Sequence, residues 1–145
     1  MSDFDFPTSP MTENEIAREV VDAAIKIHQW LGPGLLESVY EVVLAFELRT
    51  RGLDCQRQVP VPIGYDAIRF EEGFRIDLLV GGKVVVELKS IEDVTKTHRK
   101  IVLTYLRLAE NRLGLLINFG SALLKDGITR VVNGLSDDDG PLFAS

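Results

Sequence analysis

The chain predicts an α/β domain, α+β in the stricter sense, with a mixed sheet flanked by helices in the order αβββαβ and an extra helix in front. Three observations predict it. Apolar residues recur at helical spacing through the first third of the chain, short apolar runs of period two begin at Gln56, and one helical segment separates three strands from two more.

The elements follow in order. Residues 1–11 are polar, proline-punctuated and without periodicity, which predicts a disordered tail. Thr12 followed by Glu15 is a capping-box pattern, and Ile16, Val20, Ala23, Ala24, Ile27, Trp30 and Leu31 then recur at helical spacing. Gly32-Pro33-Gly34 ends that helix. A second helix, from about Leu36 to Arg51, stops at Gly52. Val59-Pro60-Val61-Pro62-Ile63 reads as an edge strand, because proline cannot donate to a ladder. Glu71-Glu72-Gly73 is expected to turn the chain into a strand over 75–80. Gly81-Gly82 then leads into a third strand over 84–89. A helix over 95–111, a strongly apolar strand over 113–119 and a last strand over 128–132 complete one domain, residues 12–135, followed by an acidic tail over 136–145.

Composition narrows the function classes. A chain of 145 residues, nearly half of them apolar, suits a single core. One cysteine, Cys55, excludes an intrachain disulfide and suggests a reducing compartment. The acidic N-terminus lacks the basic region and apolar core of a signal peptide, and no apolar run approaches the roughly 20 residues of a membrane span, so the cytoplasm is the expected location. The net charge of -6 and pI near 4.9 oppose a polyanionic partner. Against that, the acids gather at the termini, while Lys96, His98, Arg99, Lys100, Arg107 and Arg112 follow Lys89. A solvated helix face explains these cations as well as a phosphate-binding one, since no aromatics interleave with them. No phosphate loop, dinucleotide fingerprint, zinc cluster or Ser-His-Asp order is present. His28 and His98 have no partner at metal-ligand spacing.

The chemistry concentrates in FRIDLLVGGKVVVELKS, residues 74–90, where Asp77, Glu87 and Lys89 interrupt an apolar hairpin. An unpaired buried carboxylate costs several kcal/mol, roughly, so such charges call for a cation or hydrogen bonds. Glu87 and Lys89, two apart, share a strand face. A two-residue turn at Gly81-Gly82 would pair Asp77 with Val86 and aim it away from Glu87. An odd loop, such as Gly81-Gly82-Lys83, sets Asp77 opposite Glu87. Two carboxylates beside a lysine suit Mg²⁺ or Mn²⁺ and metal-assisted phosphodiester hydrolysis. Cross-strand pairs of Asp77 with Lys89 or of Glu87 with Arg75 are the plain alternative.

The D…ExK set of Asp77, Glu87 and Lys89 resembles the PD-(D/E)XK nuclease superfamily, and Gly34-Leu-Leu-Glu37-Ser-Val-Tyr40 resembles the motif of its GxxExxY protein family. The similarity runs from about Glu13 to Leu135, through VPVPIGYDAIRF, RIDLLV, VVVELKS, LTYLRL and GLLINFGSALLKDGITRVVNGL. It implies a restriction-endonuclease-like core, nucleic acid as partner, Asp77 and Glu87 as metal ligands and Lys89 as the cation that steadies the attacking water or the charge at phosphorus. Glu37 would add a third acid, and Tyr105, Lys100, Arg99 and Tyr40 would bind substrate. Many superfamily members carry QxxxY on the helix after the ExK strand; here the segment is Ile101-Val-Leu-Thr-Tyr105. Isoleucine cannot replace the hydrogen bonds of a glutamine amide.

Plain readings stand beside these. Glu37 follows a glycine-rich break, where the helix dipole favours a carboxylate in any case. Tyr40 and Tyr105 sit at helical spacing, as core aromatics do. The alternatives to a nuclease are a noncatalytic module of the same fold, or a charge network serving stability alone. A homodimer is open, because apolar strand edges could be covered within the chain or by a second copy.

Overall fold

A computed structural model describes residues 8–135. Residues 1–7 and the acidic segment 136–145, both expected to be tails, lie outside the described residues. Residues 8–11 are anchored: Ser9 N–H donates to the Gly81 carbonyl (2.9 Å), and Lys83 Nζ donates to the carbonyl of Met11 (2.6 Å).

Helix α1 spans Glu13–Leu31 and opens with the expected capping box, in which Thr12 and Glu15 exchange hydrogen bonds. Ile16, Val20, Ala23, Ala24 and Ile27 are buried, whereas Trp30 is 83% exposed and Leu31 also faces outward, so the apolar stripe ends a turn earlier than its spacing suggests. Helix α2, Glu37–Thr50, stops before Gly52, whose φ of 86° suits glycine.

Five strands form one sheet in the order β1-β2-β3-β4-β5. Strands β1 (Cys55–Tyr65), β2 (Ile68–Val80) and β3 (Val84–Lys89) are antiparallel; α3 (Lys96–Ala109) carries the chain to β4 (Leu113–Asn118), parallel to β3, and β5 (Ile128–Val132) returns antiparallel. The proline-bearing β1 lies at the edge, as expected. The Glu71-Glu72-Gly73 turn is overturned. Strand β2 runs unbroken from Ile68, and the reversal falls at Asp66-Ala67, where Asp66 takes φ 53°. Residues 71–73 instead absorb the register shift between Val61↔Phe74 and Ile63↔Phe70. Gly73 is required there, since a Cβ would lie 2.0 Å from Ile63 Cδ1.

Two cores hold the sheet. Helices α1 and α2 cover Leu78, Val80, Val84, Val86, Leu88, Leu115 and Ile117. Helix α3 covers Val59, Val61, Ile76, Leu79, Val85 and Leu116. Burial on both faces explains the nearly continuous apolar runs of β3 and β4. Among the described residues no helix is long and apolar enough to cross a membrane.

Candidate active site

The site begins with a change of face along β2. Leu78 and Val80 belong to the α1/α2 core, and strict alternation would send Ile76 there too; Ile76 and Phe74 instead pack under α3. The switch falls at Asp77. On β1 the same switch separates Cys55, on the α1/α2 side, from Val59 and Val61. Between them Gln58 adopts φ 51°, an uncommon conformation for a residue other than glycine.

The loop between β2 and β3 has the odd length that the metal reading requires. Val80 pairs with Val84, leaving Gly81-Gly82-Lys83 as connection, and the ladder continues through Leu79↔Val85 to Leu78↔Val86. Beyond that pair the carboxylates take over main-chain donors. Leu88 N–H donates to Asp77 Oδ2 (2.9 Å), and Asp77 N–H donates to Glu87 Oε1 (3.1 Å). Each strand's acid thus ties down the other strand's backbone, which fixes the pair without a cation. Neither plain ion pair forms. Arg75 pairs with Glu72, and among the described residues no carboxylate lies within 4.0 Å of Lys89 Nζ.

Glu87 is buried at 8% exposure, and that burial, reinforced by the charge of Asp77, pushes its carboxyl up to about 8. The Asp77 N–H and, more weakly, Lys89 act in the opposite direction. Asp77 is also raised, first by burial, with the Leu88 N–H opposing. Tyr105 is half-buried and stacks on Phe74 with ring centroids 4.1 Å apart. Its hydroxyl pKa is raised by burial and then by the charges of Glu87 and Asp77, which sets it in the field of the pair.

The other expected site residues fare differently. Tyr40 is fully buried, stacks on Phe119 at 4.2 Å, donates to the Gly32 carbonyl (2.6 Å) and accepts from Leu35 N–H (3.1 Å). It clasps the loop between α1 and α2 and has no surface for a substrate. Glu37 is exposed in the first turn of α2. Among the described residues no three His, Cys, Asp or Glu side chains are grouped to hold a metal ion, so the expected set of three carboxylates is not assembled. Lys100 is exposed on the outer side of α3. Arg99 lines a polar cleft of about 250 Å³ with Glu92, Asp93 and Asp126, away from a phosphate-attracting environment.

Two participants escaped the sequence reading. Glu41, one turn after Glu37, is buried and held by Arg57 (2.9 Å); its charge also acts on Asp77. Gln58 Nε2 donates to Glu41 Oε1 (2.6 Å) and reaches Asp77 Oδ1 at 3.4 Å, joining the two acids. An acid on the same helical face as Leu44 and Leu48 was a usable signal for Glu41. Nothing in the sequence marks the backbone of Gln58. The remaining titratable candidates are structural. His28 Nε2 meets the Ser121 carbonyl (2.9 Å), His98 Nδ1 accepts from the Thr95 N–H (2.9 Å), and burial raises Cys55 to about 11.

The donor set fits a hard divalent ion. Mg²⁺ is commonly held by one or two carboxylates, with water and phosphate oxygens completing its shell. Asp77 and Glu87 supply two, and Glu87 is a buried acid that, among the described residues, no cation neutralises at contact distance.

No curated protein and no solved structure matches the chain. The family model of the PD-(D/E)XK nuclease superfamily matches residues 14–131, which takes in every element from α1 through most of β5, and the chain belongs to that superfamily.

Proposed function

We propose that the protein is a metal-dependent nuclease that hydrolyses phosphodiester bonds of nucleic acid. The observation that supports it best is the parting of β2 and β3 at Asp77 and Glu87, where two carboxylates are fixed by main-chain donors beside a lysine that has no ion pair among the described residues. Asp77 and Glu87 would hold Mg²⁺ or Mn²⁺. When bound, such an ion lowers the pKa of water and offsets phosphate charge. Lys89, on the strand face of Glu87, orients the attacking water and stabilises charge at phosphorus. Tyr105 lines the site from α3, with Lys100 as a phosphate contact further along, whereas Arg99 faces the acids of its own cleft. Glu37, exposed one turn before the buried Glu41, is an auxiliary acid.

We also assign the chain to the GxxExxY branch. Gly34, at φ 101°, and Tyr40, through its two loop hydrogen bonds, build the α1–α2 connection, which leaves Glu37 as the motif's chemical member. A noncatalytic module of this fold is the second reading, favoured by Ile101, 41% exposed where many superfamily members carry glutamine. The test is cleavage of labelled single-stranded, duplex and branched DNA and RNA with Mg²⁺ or Mn²⁺. The expected result is cleavage by the wild type that disappears in Asp77→Ala and Glu87→Ala. No cleavage of any substrate with either ion would leave the second reading.

A further inference from the structure

Cations are sorted unevenly over this molecule. Arg51, Arg57, Arg69, Arg75, Arg112 and Lys26 sit in ion pairs, and Arg49 and Lys83 bind main-chain carbonyls. Among the described residues Lys89, Lys96, Arg99, Lys100, Arg107 and Lys125 make neither contact, and all but Lys125 belong to the candidate site or to α3. Lys96, Lys100 and Arg107, at positions i, i+4 and i+11, form one outward stripe on that helix. Unneutralised cations at this spacing, in a chain of net charge -6, make α3 the locally positive element.

The aromatics missing from α3 come from another part of the chain. Strands β1 and β2, of 11 and 13 residues, far outrun the 6 of β3, so their distal halves project as a two-stranded arm past the end of the sheet that carries Lys89. The arm starts at Gln58 and Asp77. Its first residues, Val59, Val61 and Phe74, pack on α3, and Phe74 stacks on Tyr105. Period two along β1 places Ile63 and Tyr65 on the same face as Val61, and pairing adds Phe70 and Ile68 to it. Tyr65 and Phe70, 76% and 55% exposed, therefore face the α3 side of the arm without being buried there. From Tyr105 the surface of α3 turns outward through Ile101, also exposed, to Lys100 and Lys96. Exposed flat apolar groups on the arm, and cations on the outer side of α3 that have no ion pair among the described residues, thus lie to either side of Tyr105 and Ile101.

We propose that the surface running from the β1–β2 arm over α3 binds single-stranded nucleic acid, with bases stacked on Tyr65 and Phe70 and phosphates along Lys96 and Lys100. This deepens the nuclease reading and rests on it for the choice of polyanion. Rings exposed on such a surface stack only on unstacked bases, whereas a duplex offers its phosphates and buries its base faces. Isoleucine at position 101, exposed between Tyr105 and Lys100, extends the apolar part of this surface where an amide would add polarity.

The test is fluorescence anisotropy of the full chain with labelled oligo(dT) and with a duplex of equal length, in EDTA, across a salt series. The single strand is expected to bind more tightly, with affinity falling as salt rises. The double variant Lys96→Glu/Lys100→Glu should weaken binding at least about tenfold and flatten the salt slope by on the order of 0.7 per lysine. Tyr65→Ala/Phe70→Ala should weaken single-strand binding by at least about fivefold at an unchanged slope. All four side chains are exposed, and an unchanged thermal melt confirms that each variant folds. Equal or tighter binding of the duplex, or full single-strand affinity in either variant, would overturn the proposal. Retained binding by a protein that cleaves nothing would overturn the nuclease reading and leave the binding surface assigned.

Discussion

The two ends of the β2–β3 pair use the same backbone for opposite purposes. Near Gly81, Leu78 to Val80 and Val84 to Val86 keep regular partners, and their side chains fill both cores. One residue pair further on, Asp77 and Glu87 substitute carboxylates for ladder bonds. The turn end contributes stability by burying apolar surface. The other end holds two like charges together, which opposes stability unless protons or a cation neutralise them. The difference teaches that the acids are positioned by rigid strands whose cost is offset a few residues away.

The sharpest break of that comparison is Asp77→Ala. Cleavage should fall by about two to three orders of magnitude or more, as expected for loss of a group that holds charge at the reacting phosphate, while the melting temperature changes little. A gel-based time course beside a thermal melt separates the two effects. Leu79→Ala is the converse. It truncates a fully buried side chain under α3 and should cost about 2–5 kcal/mol in urea denaturation. Cleavage per folded molecule should persist.

The pH dependence sharpens the contrast further. The Glu87 carboxyl is raised from 4.5 to about 8 in the fold, so the native state keeps a proton that the unfolded chain has released. Metal-free stability should therefore be highest below about pH 4.5 as far as this group is concerned, and decline as pH rises toward about 8. Glu87→Gln should remove the larger part of that decline, measured as urea midpoints at several pH values, and leave the contribution of the raised Asp77 carboxyl. A variant with the wild-type decline would assign it elsewhere. The smallest effect is expected from Gln58→Ala, which removes the amide linking Glu41 and Asp77. A stability loss of about 1 kcal/mol should accompany a measurable fall in cleavage. Unchanged cleavage would make Gln58 a purely local backbone feature.

Most of the architecture was legible because periodicity and turn residues encode it locally. Thr12 and Glu15 announced α1, Gly52 closed α2, and the prolines put β1 at an edge. The Glu71-Glu72-Gly73 turn misled because the same residue types serve a register shift inside a long strand, and only cross-strand packing of Ile63 over Gly73 tells them apart. For the site, the parity of the β2–β3 loop linked Asp77 to Glu87 in advance. Tyr40 misled because a motif tyrosine can be retained for a loop clasp as well as for a ligand. That Tyr65 and Phe70 lie on the α3 side of the arm was not recognised, since their side of β1 follows from the switch at Gln58, whose φ no local signal specifies.

The central claim is that Asp77 and Glu87 form a divalent-cation site, and a crystal of the protein soaked in Mn²⁺ tests it most directly through anomalous scattering. The account predicts a peak between the two carboxylates that is lost in Asp77→Ala. A well-ordered wild-type crystal at saturating Mn²⁺ with no peak there, or with the peak unchanged in Asp77→Ala, would contradict it.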